Sequence, residues 1–403
     1  MSGGRDEATI GEAATNPAAG TTADTAAMAA KRPAANVGAW DDATWDAFVE
    51  ADPRASYLQA SAWAAVKAPN GWRARRVVAS APGGAEIGGQ VLLRRPRLVP
   101  WTFGYAPRGP IARQWDRWTI DAWTEALRAK RWGERVAQVR IDPEIEADGE
   151  LDPAGRLRAE LVRAGWRAAP SIQPPVTRVV DLRADEPALW SDLRTKWRQY
   201  VNKARSGGVT VVDAGEDRLD EFHAILVETA RRAGTRVRAA SAYRDVWDAF
   251  RPSGRARLLL AVGPDGDAQA ALMLVRSGGR VVEPYGGMTA AGALTRANYL
   301  VKWEAIRGSR EVGAVAYDMW GLVHPGIRQF KAGFGGREIT FIGGWELPLD
   351  ELGTTAYRTG AFAIERLAAL RSRGNLGAHG AEARPAKSGS DGGDEDSTRG
   401  TGA

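Results

Sequence analysis

The chain of 403 residues contains no cysteine. A disulfide scaffold, a thiol nucleophile and thiolate metal ligation are therefore excluded. Histidine is nearly as scarce: His223, His324 and His379 are all there are. A His-rich zinc site is not expected, and His324 lacks the serine and acid context of a catalytic triad. No apolar run approaches the roughly 18 residues needed to cross a bilayer. The N-terminus has no basic stretch leading into a hydrophobic segment, so no signal peptide is expected and the protein is expected in the cytoplasm.

What is present has the balance of a globular protein: 44% apolar and 26% charged residues, at a length that suits two domains. Sixteen tryptophans are spread along the chain. Residues 1–37 and 374–403 are rich in small and polar residues and are expected to be disordered tails, because they bury too little surface to offset their ordering entropy. The tails carry net charges of −1 and −2 within a whole-chain charge of +6, which leaves +9 on the body between them. A basic body suits a phosphate-bearing partner such as RNA, a nucleotide or an anionic lipid surface. Scattered arginines that serve solubility would give the same number.

Periodicity divides the body into two similar halves. The first reads as helices over 43–51 and 61–67 and strands over 72–80, 89–95 and 102–106. A long helix over 115–135, a strand over 138–141, a helix over 154–164 and a strand over 177–182 complete it. The second reads as helices over 187–205, 219–233 and 242–250 and strands over 256–262, 269–276 and 280–285. A helix over 297–311, strands over 314–319 and 340–347 and a helix over 357–372 follow. Strands joined by short turns should pair antiparallel, and strands separated by a helix should pair parallel. The fold class is therefore α/β with mixed sheets, in the element order of GNAT acyltransferases, present twice. Residues 38–180 form the first expected domain, completed by about 343–372, and 181–342 the second.

Several strings occur in a fixed order: YLQASAWAAVK (57–67), GYAPRGP (104–110), VRIDP (139–143), IQPPVT (172–177), KWRQYVNKA (196–204), ANYLVKWEAI (297–306), YDMWG (317–321) and FKAGFGG (330–336). Together they resemble the FemABX family of peptidoglycan bridge-forming aminoacyltransferases, over roughly residues 40–350. The resemblance implies two GNAT-like domains in tandem that use no acetyl-CoA, no other cofactor and no metal. The implied reaction moves an amino acid from aminoacyl-tRNA to the side-chain amine of a peptidoglycan stem peptide carried by a UDP-linked or lipid-linked precursor. Transient contact with the inner membrane face and a monomeric state are also expected. No heptad run is present, so the chain looks like an armless member of the family.

Aminolysis of an ester needs cations for phosphates, a group to manage the amine proton, and a positive or N–H group at the oxyanion. Lys67, at the end of a short helix, is implied by the resemblance to hold acceptor phosphates; a solvated helix-terminal lysine is the plainer reading. Lys196, Tyr200 and Lys203 share one helix face, whereas Arg198 lies about 160° from Lys196. Arg198 is the first choice by motif position and Tyr200 the second. Tyr243 follows Arg236 and Arg238 and is a candidate phosphate donor, or else a buried structural tyrosine. Asp142 ends a strand before Pro143, and the resemblance puts it near the acceptor amine; an Asp-Pro turn competes. Glu346, after Gly343 and Gly344, is the other candidate base, and the two carboxylates are not ranked. Phe330 and Lys331 precede a Gly-rich turn and are candidates for the tRNA terminus and the oxyanion. An acyl-CoA-dependent N-acyltransferase would want a Gly-rich pyrophosphate loop, which is not seen. A non-enzymatic RNA-binding protein would account for the charge but not for the carboxylates.

Overall fold

The structure, a computed structural model, describes residues 40–96, 99–322 and 324–360. Both expected tails and most of the expected 357–372 helix lie outside these residues; 351–360 are helical. The first half contains α1 (Asp42–Glu50), α2 (Ser61–Lys67), β1 (Arg73–Ser80), β2 (Glu86–Arg94), β3 (Thr102–Ala106), β4 (Ile111–Ala112) and α3 (Arg117–Ala129). It continues with β5 (Val136–Ile141), α4 (Arg156–Arg163) and β6 (Arg167–Ala169). Then follow β7 (Val176–Asp181), α5 (Glu186–Asp192), α6 (Thr195–Ser206), β8 (Thr210–Ala214), α7 (Leu219–Ala233), α8 (Ala240–Phe250), β9 (Ala256–Val262), β10 (Ala268–Ser277) and β11 (Arg280–Met288). The last elements are α9 (Ala290–Thr295), α10 (Ala297–Glu311), β12 (Ala316–Asp318), α11 (Pro325–Ala332), β13 (Arg337–Thr340) and β14 (Gly344–Pro348).

The strands build two mixed sheets. One has the order β1-β2-β3-β5-β14-β6, with β4 also pairing β2; the other has the order β13-β7-β12-β11-β10-β9-β8. Turn-linked neighbours pair antiparallel, as in β1–β2 and β9–β10–β11. The helix-spanning pairs β3–β5 and β11–β12 are parallel. These are the pairings that connection length dictates. The strand expected at 177–182 in the first half hydrogen-bonds instead in the second sheet, beside β12 and β13. The single strand expected at 340–347 is two strands in different sheets, because Gly343, at φ 84°, turns the chain between them.

Local chemistry explains the helix ends. Asp116 caps α3 by accepting from the Thr119 amide, while the Thr119 hydroxyl oxygen accepts from the Asp116 amide, a reciprocal capping box. Ile120, Trp123 and Leu127 recur at helical spacing and bury on the first sheet. Trp123 lies so close to Gly89 that a Cβ there would come within 2.8 Å of its ring, so only glycine fits. The long helix expected over 187–205 breaks into α5 and α6. Leu193 and Arg194 take extended ψ values, and the Arg194 amide donates to the Gly333 carbonyl.

The two sheets meet across apolar and ionic contacts. Tyr57, Leu58, Trp63 and Leu92 share one buried cluster with Phe222, Val246, Trp247 and Phe250 of the second half, and α2 packs on α8. Each such fully buried side chain stabilises by about 1.5–3 kcal/mol. Beside them runs a buried chain of charge. Glu144 pairs with Arg108 at 3.3 Å and also with Arg280 of β11. Arg280 reaches Asp318 of β12 at 3.6 Å, and Asp318 accepts from the Thr177 hydroxyl of β7. All four charged side chains are at least nine-tenths buried. Removing one partner from such a chain leaves uncompensated charge in a low-dielectric interior. Glu144→Ala is expected to cost about 3–5 kcal/mol of unfolding free energy, read by urea denaturation; a cost below about 1 kcal/mol would show that the chain does not hold the sheets together.

Candidate functional site

A cavity of about 190 Å³ opens where the two halves meet. Lys67 and Trp72 enter it from the end of α2 and the start of β1, Tyr105 from β3, Gln173 from the connector, Arg238 from the loop before α8, and Tyr285 from β11. Trp320, after β12, closes one side. The floor is aromatic and the ionic groups are cations.

Lys67 lies 5.3 Å from the centre of the Trp63 ring. Burial lowers its pKa, and the neighbouring guanidinium groups of Arg238 and Arg94 lower it further. Neither Lys67 nor Arg238 makes an ion pair with a described residue. Two like charges held together without an acid form a ready anion site. Tyr243 stands one layer behind. Its ring packs edge-on against Tyr285 at 5.0 Å, and burial raises its pKa.

Asp142 also lies one layer behind the wall. Its buried carboxylate accepts from the Tyr105 hydroxyl at 2.8 Å and from the Arg108 amide at 2.8 Å. It accepts from the Ile172 and Gln173 amides as well, at 3.2 and 2.8 Å. It thereby ties the β3 end to the connector that carries Gln173. The Tyr105 hydroxyl also accepts from the Gln173 side-chain amide at 3.2 Å. Burial, and then the Asp142 charge, hold Tyr105 well above the usual phenol range.

Lys331, on α11, donates to the carbonyls of Met319, Trp320 and Gly321, at 2.6, 3.3 and 3.0 Å. It therefore holds the loop that presents Trp320. Trp320 sits at φ 62°, a left-handed conformation that a bulky residue adopts at a cost of about 1–3 kcal/mol. Its amide donates to Asp318 at 2.7 Å, and the Arg108 guanidinium lies 5.1 Å from its ring centre. Burial brings the Lys331 pKa down to about 8, the Lys302 charge adds to this, and Glu283 and Asp318 oppose it. Lys302 is buried against Glu283, which also accepts from the Tyr317 hydroxyl at 2.6 Å.

The remaining residues chosen from sequence lie away from the cavity. Glu346, on β14, accepts from Gln138 at 3.0 Å and from Arg140 and Arg358 at 2.6 Å. It shares no donor with Asp142. Arg198 donates to the Ser191 and Leu193 carbonyls, at 2.8 and 2.5 Å, and so caps the end of α5. Tyr200 and Phe330 belong to an aromatic cluster around Tyr299, whose ring centre is 4.8 Å from that of Tyr200 and 5.2 Å from that of Phe330. Arg296 lies 4.6 Å from the Tyr200 ring centre. Sequence reasoning missed Tyr105, Tyr285 and Trp320 as cavity residues. Of these, Tyr105 and Trp320 fell inside strings already singled out, and Arg238 fell in the arginine-rich segment before Tyr243. Among the described residues no cluster of metal-ligating side chains occurs, and no helix is long and apolar enough to cross a membrane.

The Lys331 environment has a pH signature. Its pKa in the fold lies below the ordinary 10.5, so between about pH 8 and 10.5 the unfolded chain binds more protons and stability rises with pH. Wild type is expected to gain about 3 kcal/mol relative to Lys331→Met over that window. Chemical denaturation at several pH values checks this; a constant difference would show that Lys331 is not depressed.

The chain is similar to several known proteins. The lipid II:glycine glycyltransferase of Staphylococcus saprophyticus is 28% identical over 223 residues, 54% of this chain and 54% of that one. The Staphylococcus aureus protein of the same name is 27% identical over 219 residues, covering 53% and 52%. The chain thus spans about half the length of these relatives. The crystal structure of FemX superposes with a TM-score of 0.71 at 20% identity, covering 77% of this chain and 96% of that one, and so shares the fold. The FemAB family model matches residues 41–264, which contain Lys67, Tyr105, Asp142 and Arg238. More than half of the chain is matched in this way, and the protein belongs to the FemAB family.

Proposed function

We propose that the chain moves an amino acid from aminoacyl-tRNA to the side-chain amine of a peptidoglycan stem peptide, with a lipid-linked precursor as acceptor. The observation that carries the reading is the cavity between the two halves, where Lys67 and Arg238 stand beside aromatic walls with no ion-pair partner among the described residues. A diphosphate next to a sugar matches that combination of charge and ring surface. The glycyltransferase names of the staphylococcal relatives support a lipid-linked acceptor.

In this reading Lys67 and Arg238 bind the acceptor's phosphates. The acceptor amine then approaches Tyr105. Attack on the ester carbonyl forms the C–N bond and breaks the bond to the tRNA ribose oxygen, which leaves as a hydroxyl. The amine proton passes to the Tyr105 oxygen while the phenol proton moves to Asp142, which its four hydrogen bonds hold in place, and the same relay run in reverse returns one proton to the departing ribose oxygen. Lys331 and the 319–321 loop set Trp320 against the bound acceptor. Glu346 contributes as a buried partner for Arg140 and Arg358, and Arg198 as a helix cap, so neither carries the chemistry.

The test combines purified protein, tRNA charged with a labelled amino acid, and a lipid-linked precursor. Label in the stem peptide without any coenzyme is expected. Dependence on acyl-CoA, or RNA binding without turnover across charged tRNAs, overturns the reading. Lys67→Ala and Arg238→Ala are each expected to raise the acceptor KM about tenfold or more, the worth of a charged hydrogen bond, with the donor KM unchanged. Tyr105→Phe is expected to lower kcat about 100-fold or more while leaving acceptor binding near wild type; an unchanged kcat removes the tyrosine from the proton route.

A further inference from the structure

The cations of the cavity continue onto the outer surface of the first half. Segments 67–76, 94–96 and 130–135 contain nine basic residues and one acid, Glu134. Three of the nine are neutralised: Arg73 by Glu134, Arg76 by Asp42 and Arg135 by Asp350. Lys67, Arg75, Arg94, Arg95, Lys130 and Arg131 make no ion pair with a described residue.

Five of these form one tract, and Arg131 follows Lys130 in the chain. Arg94 is close enough to Lys67 to lower its pKa, and its guanidinium lies 5.7 Å from the centre of the Trp72 ring, itself a cavity wall. Arg95 and Arg75 line a shared basin with Trp132. Arg75 in turn presses on Lys130 at the end of α3, whose pKa burial and that charge lower. The topology causes the gathering: the start of edge strand β1, the end of β2 and the end of α3 all lie at the same end of the first sheet. Apolar surface is interleaved with the charge. Pro96 and Pro100 are exposed, and Val99, Trp72 and Trp132 are half-buried.

We propose that this end of the first half docks on an anionic membrane surface, with the cavity mouth beside Lys67 turned toward the bilayer. The inference rests on the proposed reading of a lipid-linked acceptor. Trp72 and Arg94 stand beside Lys67, so the tract begins next to the place where the phosphates would be held. Cations with interleaved tryptophan and proline suit a headgroup layer. RNA would use the cations but has no need of the apolar tip.

The test measures co-sedimentation of the full chain with vesicles of phosphatidylglycerol mixed with phosphatidylcholine, and with phosphatidylcholine alone. Binding to the anionic vesicles alone, weakening as salt rises, is expected. The triple variant Arg75→Glu, Arg95→Glu and Lys130→Glu is expected to bind them about 100-fold more weakly, while transfer to a water-soluble acceptor lacking the lipid stays near wild type. Three Gln substitutions at the same positions should give a smaller loss in the same direction. Unchanged vesicle binding by the variants, or no binding by wild type, overturns the inference while leaving the transfer reading intact. A loss of charged-tRNA affinity with vesicle binding preserved overturns it in favour of an RNA surface. Vesicle binding without transfer to either acceptor overturns the proposed reading and, with it, the orientation inferred here.

Discussion

The buried chain Arg108–Glu144–Arg280–Asp318 is the constraint on which the site depends. Its first two members belong to the first half and its last two to the second sheet. Each end then organises one wall of the cavity. At one end the Arg108 amide donates to Asp142, and the Arg108 guanidinium covers Trp320. At the other, Asp318 receives the Trp320 amide and the Thr177 hydroxyl. A shift of one half against the other would therefore leave buried charge without a partner as well as opening apolar contacts. The ionic part of that cost is steep over short distances, because the interior screens charge poorly. Such a seam fixes geometry more than it adds net stability.

Acids and cations are divided accordingly. Asp142, Glu144, Glu283, Asp318 and Glu346 are all buried and committed to protein donors. The cavity itself presents Lys67, Arg238 and aromatic rings. Acids behind the wall orient the groups in front of it: Asp142 through Tyr105 and Gln173, Asp318 through Trp320. Lys331 does the same by binding carbonyls. The result is a cavity whose charged lining, among the described residues, is cationic.

Much of the fold was legible because its signals are local. Apolar spacing places α3 and α10, and connection length decides parallel or antiparallel pairing. Lys67 was singled out only through the family resemblance of the string around it, since its place at a short helix end suits a solvated lysine equally well. What failed to show was set by distant partners. Nothing within residues 196–204 says that Arg198 folds back on the carbonyls of Ser191 and Leu193. Asp142 and Glu346 look alike in sequence, yet one is saturated by amides and a phenol behind the cavity while the other lies between two arginines. Trp320 enters the site only because a left-handed backbone, Asp318 and Lys331 turn it there. The split of 340–347 into strands of two sheets follows from a glycine turn whose direction no periodicity encodes.

The position of β14 bears on how the protein is made. In the first sheet β6 pairs only with β14, and β14 also completes the exposed side of β5. Residues 344–348 leave the ribosome after every strand of the second sheet has been synthesised. Until then β6 has no neighbour and β5 shows an open edge, so the half that begins the chain is the later of the two to gain its full complement of strands. Chain order and completion order are thus reversed, and during synthesis the unpaired edge of β5 is the surface most in need of shielding.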